Sequence, residues 1–234
     1  MPTLNKFTKK LSKPFFATTL VVYALCFTLP LTAFAEEAPN ITFDGLVPVE
    51  DASVAMAYID PEADFSVFKR VMILDPYVSF RSNWRRDQNR SRSRNIRERD
   101  MERIKADVAS LFREVFTQNL QADNGYEIVD EADYDVLLLR PAIIDLDITA
   151  PDIAAAGRSR TFTASSGAAT IYLELFDSVS GQIIGRAADR QASRSAGGAM
   201  TWSNRVMNRA EGRRMFTGWA NQLRAFLDQH YTAK

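Results

Sequence analysis

The segment that most constrains the fold is residues 161–194. In "GAATIYLELFD" the side chains alternate: Ile171, Leu173 and Leu175 share one face, and Tyr172, Glu174 and Phe176 the other. "DSVSG" provides a turn and "QIIGRAADRQA" returns, which predicts a β-hairpin. Two longer periodic stretches complement it. After Asp100, read as an N-cap, Ile104, Val108, Leu111, Val115 and Leu120 recur at helical steps until Asn124-Gly125. From about Asn208 to Tyr231 a second helix carries Phe216, Trp219, Leu223, Phe226 and Leu227 as its inner stripe. "FKRVMILDPYVSF" reads as a strand whose apolar run Pro76 closes, "YEIVD" as a short strand, and "YDVLLLRPAIIDLDIT" as a long one in which Pro141 marks a break or edge.

The order strand, helix, three or four strands, helix predicts an α+β fold. The expected form is a two-layer sandwich, a mixed and largely antiparallel sheet of four to five strands with two helices on one face. Only the strands joined through the first helix should run parallel. Residues 36–66 read as an extended lead-in, with a turn at Asp60-Pro61, and 67–231 as a single α+β domain.

Residues 1–35 read as a signal peptide. Lys6, Lys9, Lys10 and Lys13 precede an uncharged apolar run that ends in Ala33-Phe34-Ala35. Cleavage after Ala35 predicts a periplasmic protein. The alternative is a lipoprotein anchored through Cys26, but Leu25 stands where a lipobox has Gly or Ala. Cys26 is the one cysteine, so residues 36–234 hold no disulfide and no thiolate.

"FDGLVPVEDASVAMAYIDPEADFSVFKRVMILDPYVSF", "GAATIYLELFDSVSGQIIGRAADRQA" and "TWSNRVMNRAEGRRMFTGWANQLRAFLD" resemble the domain-of-unknown-function 3313 family over residues 41–229. The most specific stretches are Asp60-Pro-x-Ala-Asp64-Phe65 and Leu-Phe-Asp177-Ser-x-x-Gly181. Members are small exported envelope proteins, many of them lipoproteins. The resemblance implies an envelope location and a single domain, and it assigns no catalytic residue. This chain departs from the common pattern in lacking a proper lipobox.

The inventory argues against several chemistries. His230, the single histidine, lies in the last helix, far from any serine-based triad pattern. Cys/His zinc sites are excluded by count. Neither a phosphate-binding glycine loop nor a dinucleotide fingerprint appears. No catalytic residue, metal ligand or cofactor is assigned. The remaining enzymatic alternative is an envelope-polymer hydrolase using carboxylates such as Asp145 and Asp147, placed on one strand face with Asp152 beyond. The plainer reading is an amphipathic strand with Ile144, Leu146 and Ile148 turned inward.

Residues 81–99 hold eight arginines, two acids and one tryptophan, a net charge of +6. The whole chain is neutral, and cleavage removes four lysines and no acid, so the remainder of the exported domain is acidic. The candidate binding residues are Arg81, Trp84, Arg85, Arg86, Arg90, Arg92 and Arg94, joined by Arg186 and Arg190, which share one side of an extended segment. Export argues against nucleic acid. The expected partner is an envelope protein or an anionic envelope component, including peripheral contact with a membrane. Folding of the arginine loop onto its own acidic domain is the competing reading. The function expected is a non-enzymatic binding or assembly module, and the further alternative is a structural envelope protein with no role for the loop.

Overall fold

The structure is a computed structural model that describes residues 42–90, 95–148, 162–163, 167–192, 201–202 and 205–232, with side chains from 42–90, 95–148, 167–192 and 209–230. The chain separates into two units, Met1–Glu37 and Ala38–Lys234, and the described residues belong to the second. The signal-peptide expectation for residues 1–35 lies outside the described residues.

The elements in chain order begin with β1 (Val47–Pro48), β2 (Met56–Ile59), β3 (Arg70–Ile73) and β4 (Tyr77–Phe80). Next come α1 (Trp84–Asn89), α2 (Glu98–Gln121), β5 (Glu127–Ile128) and β6 (Val136–Ile148). The chain ends with β7 (Phe162–Thr163), β8 (Gly167–Asp177), β9 (Ile183–Ala192), β10 (Thr201–Trp202) and α3 (Arg205–Thr232). One sheet has the order β1-β2-β9-β8-β6-β3-β5, with β4 also pairing β6, and β7 pairs β10 separately.

The fold is α+β as expected, but the sheet holds eight strands rather than four to five. Two extra strands come from the stretch read as a lead-in: β2 pairs β9, and β1 pairs β2. They are two and four residues long, too short to show a period. Leu46 and Phe65 from the same region are buried. Another arises because "FKRVMILDPYVSF" is two strands, split at Leu74–Pro76. β3 and β4 both run parallel to β6, and the β8–β9 hairpin is antiparallel. Pro141 sits inside the continuous β6, not at its end. β3 pairs as far as Leu139 and β4 begins at Ala142, so the residue without an N–H faces the gap between them.

α2 and α3 cover one face of the sheet. Ile171, Leu173 and Leu175 meet Phe112, Phe116, Phe216, Trp219 and Leu223 there. Phe112 and Phe116 add to the stripe read from the sequence. Their rings stack at 3.9 Å, and Phe216 meets Phe112 edge-on at 5.5 Å. Asp100 is not the N-cap. α2 starts two residues earlier, and the Asp100 carboxylate accepts the Arg97 N–H at 3.0 Å, the reciprocal half of a capping box. At the far end Arg224 of α3 donates to the carbonyls of Leu120 and Ala122, at 3.1 and 2.9 Å. Gly125 permits that approach, because a Cβ there would lie 2.1 Å from the guanidinium and 2.2 Å from the Leu120 oxygen.

The two stretches that carry the family resemblance are neighbouring turns. Asp60 accepts from the Glu62 N–H at 2.9 Å and from Gln182 Nε2 at 2.8 Å. Asp177 closes the hairpin turn by accepting from the N–H groups of Val179 and Ser180, at 2.9 and 2.7 Å, with Gly181 at φ 70°. The Ser180 N–H, above all, holds the Asp177 carboxyl below its ordinary range.

Candidate functional site

The arginine segment is built on Trp84. Asn83 takes a left-handed conformation at φ 62°, which turns the chain from β4 into α1 and drives Trp84 inward. Trp84 is 1% exposed, stacks on Phe80 at 4.0 Å, and donates its indole N–H to the Ile148 carbonyl at 2.7 Å. It is an anchor, not an exposed platform on which a ligand can stack. Asn89 Oδ1 accepts the N–H of buried Ile96 at 2.7 Å, which pins the far side of the segment. Residues 84–89, expected as loop, are therefore a short helix.

The arginines divide by partner. Arg81 reaches Asp87 and Asp147, each at 2.8 Å. Those contacts, Asp87 first, raise the Arg81 pKa, and Arg81 holds the Asp87 carboxyl below its usual range. Arg85 pairs with Glu98 at 2.9 Å in an exposed contact. Arg86 and Arg90 lie 3.7 Å from the same Asp87 that Arg81 already occupies, and their side chains are 63% and 70% exposed. Arg92 and Arg94 lie outside the described residues. The segment is thus docked on its inner side and keeps its surplus charge on the outer side.

Arg186 and Arg190 do not join that group. Their register against Glu174 and Thr170 puts both on the sheet face turned away from α2 and α3. Arg186 is a structural cation there. Its Nη2 meets Asp44 Oδ2 at 2.5 Å and Glu174 Oε1 at 3.5 Å, and Arg140 Nε donates to Glu174 Oε2 at 2.7 Å. The Glu174 side chain is only 11% exposed, so the two guanidinium groups offset the cost of burying it. The Thr42 hydroxyl and then Arg186 lower the Asp44 pKa, and burial raises that of Tyr172. Arg190 donates to Thr170 Oγ1 at 3.2 Å and is exposed. The alternation had separated Glu174 from the core face, but its partners at positions 140, 186 and 44 are too distant in sequence to be read there.

The carboxylates offered for catalysis do not form a pair on a regular strand. The β6–β8 register shifts between Ile144 and Asp147, and Asp145 sits in that bulge at φ 52°. The bulge lets both Ile143 and Leu146 face the core, so Ile143 replaces Ile144 as the inward residue. Asp147 is bound to Arg81, and Asp152 lies outside the described residues. Among the described residues no three His, Cys, Asp or Glu groups converge on a possible metal position. None of the described helices is long and apolar enough to cross a membrane.

A second feature escaped the sequence reading. Residues 49–54, β2 and the C-terminal half of α3 enclose a cleft of about 640 Å³ on the helix-covered side of the sheet. Trp219 is buried beside it and donates its indole N–H to Asp189 at 2.7 Å. His230 lines it as well. Packed against Phe226 and Phe65, His230 has Nδ1 2.8 Å from the Phe226 carbonyl.

No curated protein matches this chain. Among solved structures it is similar to the PelC dodecamer from Paraburkholderia phytofirmans, at 8% identity and TM-score 0.35, over 69% of this chain and 91% of that one. It is also similar to a Xanthomonas campestris protein of the DUF330 family, at 11% identity and TM-score 0.37, over 80% of this chain and 97% of that one. Likenesses this remote leave the site to be read from the chain's own residues. The family is clear, however: residues 34–223 match the model of DUF3313, a protein family of unknown function, and the chain belongs to it.

Proposed function

We propose that this protein is a non-enzymatic binding or assembly module of the cell envelope, exported by a cleaved N-terminal signal peptide, that docks on an acidic surface through the outer side of α1. One observation carries the reading. Arg81, Arg86 and Arg90 surround the single carboxylate of Asp87, and the two outer guanidinium groups remain exposed. The Trp84 anchor holds them in place, so less conformational entropy is lost on docking than from a free loop. Arginine offers paired donors to carboxylate or phosphate oxygens, and the acidic remainder of the domain disfavours the same contact elsewhere on its surface.

The test is cosedimentation with vesicles containing phosphatidylglycerol, run beside crosslinking in intact cells from a photoreactive group at the exposed position 82. Retention should fall steeply between low and physiological salt, and Arg85→Gln with Arg86→Gln and Arg90→Gln should remove it. Retention and crosslinks that survive the triple substitution would overturn the reading. A crosslinker at position 84 would report only on the core.

A further inference from the structure

The cleft between β2 and α3 has the size of a ligand site, about 640 Å³, within the range of roughly 300–1,000 Å³ usual for such pockets. Ile171 and Leu173 of β8 and Leu223 and Phe226 of α3 give it apolar walls. Asp189 and Gln222 bring acceptors to its lining, beside Ser53, Tyr58 and Gln229, which can also donate. Among the described residues Asp189 receives only neutral donors: Trp219 Nε1 at 2.7 Å, Gln191 Nε2 at 3.2 Å and the Ala55 N–H at 3.3 Å. Gln222 Nε2 donates to the Ser53 carbonyl at 3.0 Å, which fixes the amide and leaves Oε1 buried with no partner among the described residues. The Phe226 carbonyl can only accept, so His230 Nδ1 is the donor in that contact.

Among the described residues no guanidinium or ammonium group faces the cleft. Arg186 borders the cleft, but its guanidinium is held by Asp44 and Glu174 on the opposite face of the sheet. The exposed Glu50 and Asp51 complete the lining, and among the described residues neither they nor Asp189 meet a Lys or Arg at ion-pair distance. An apolar trough that ends in one unpaired acceptor, Gln222 Oε1, and in a carboxylate with no cationic partner favours a ligand that brings both an apolar chain and donors. An anionic head would stand beside a carboxylate in surroundings of low polarity, where like charges repel more strongly than in water.

We infer that the cleft binds a small cationic amphiphile, its chain along Ile171, Leu173 and Phe226 and its amine beside Asp189 and Gln222. This site is separate from the arginine face of α1.

Calorimetric titration below micelle-forming concentrations tests it with three probes of equal chain length: dodecylamine, dodecyl maltoside and dodecyl sulfate. Dodecylamine should bind at least tenfold tighter than the maltoside, and the sulfate should not bind. Asp189→Asn should lose at least tenfold for the amine and leave the maltoside unchanged. Ala225 lines the cleft from an exposed helix position, so Ala225→Phe can fill it without disturbing the core, and it should abolish binding of both. Equal binding of amine and sulfate, or amine binding unchanged by Ala225→Phe, overturns the proposal. So does a Leu/Lys peptide that binds more tightly than every amphiphile, because the occupant would then be a partner chain.

Discussion

Two buried tryptophans mark two differently built regions. Trp84 and Trp219 each donate an indole N–H at 2.7 Å, the first to the backbone carbonyl of Ile148 and the second to the carboxylate of Asp189. Around Trp84 the polar groups are matched by the chain itself: Arg81 by Asp87 and Asp147, Arg85 by Glu98, and Ile96 by Asn89. What remains unmatched there is positive and exposed. Around Trp219 Gln222 Oε1 is a buried acceptor without a partner, and Asp189 has no cationic partner, both beside an apolar cleft. The first region therefore suits a surface contact and the second an enclosed one. Burial of an aromatic ring is common to both, and the partner of its N–H separates them.

The largest expected effect is at Trp84, where truncation breaks the anchor itself. Trp84→Ala should cost about 3–5 kcal/mol of stability, read from the urea midpoint at unchanged slope. A loss under about 1 kcal/mol would mean that Phe80, Ile96 and α1 hold the segment without the indole.

Removing only the N–H separates the two regions further. Trp84→Phe leaves the part-buried Ile148 carbonyl without its indole donor and should cost about 1–3 kcal/mol. Trp219→Phe leaves Asp189 with the Ala55 and Gln191 donors, beside a cleft that water can enter, and should cost less. Equal losses in urea denaturation would break the contrast, because they would make Asp189 as dependent on its indole as the Ile148 carbonyl is.

Much of the scaffold was legible for a physical reason. The β8–β9 hairpin, α2 and α3 are long enough for periodicity to rise above chance, and the Asp177–Gly181 turn has local chemistry. β1, β2 and β5 are two to four residues each, so no period can form in them. The candidate site was legible only as composition. Eight arginines in nineteen residues announced charge, but the burial of Trp84 depends on a left-handed Asn83 and on a carbonyl sixty-four positions away. The cleft was not legible at all. Gln222 meets Ser53 across 169 positions, and Asp189 read simply as a polar residue of a hairpin strand.

The exposed arginines should matter least to the fold. Arg85→Gln, Arg86→Gln and Arg90→Gln together should move stability by no more than about 0.5 kcal/mol at neutral pH, since exposed pairs contribute little. Asp87 gives a finer test through pH. Arg81, before any other group, holds its carboxyl below the ordinary range, so the folded state keeps it ionised to lower pH than the unfolded chain does. Its contribution is present above the unfolded carboxylate pKa of about 3.9 and is lost as pH falls through the lower folded value. Asp87→Asn removes that contribution at neutral pH. Its melting temperature should therefore lie slightly below that of the parent at pH 7 and converge with it below pH 4. A constant difference across that range would show that Asp87 acts through packing and the helical turn, and not as the shared counter-ion of Arg81, Arg86 and Arg90. Arg86 and Arg90 would then present still more unmatched charge on the outer side of α1, while Arg81 keeps Asp147.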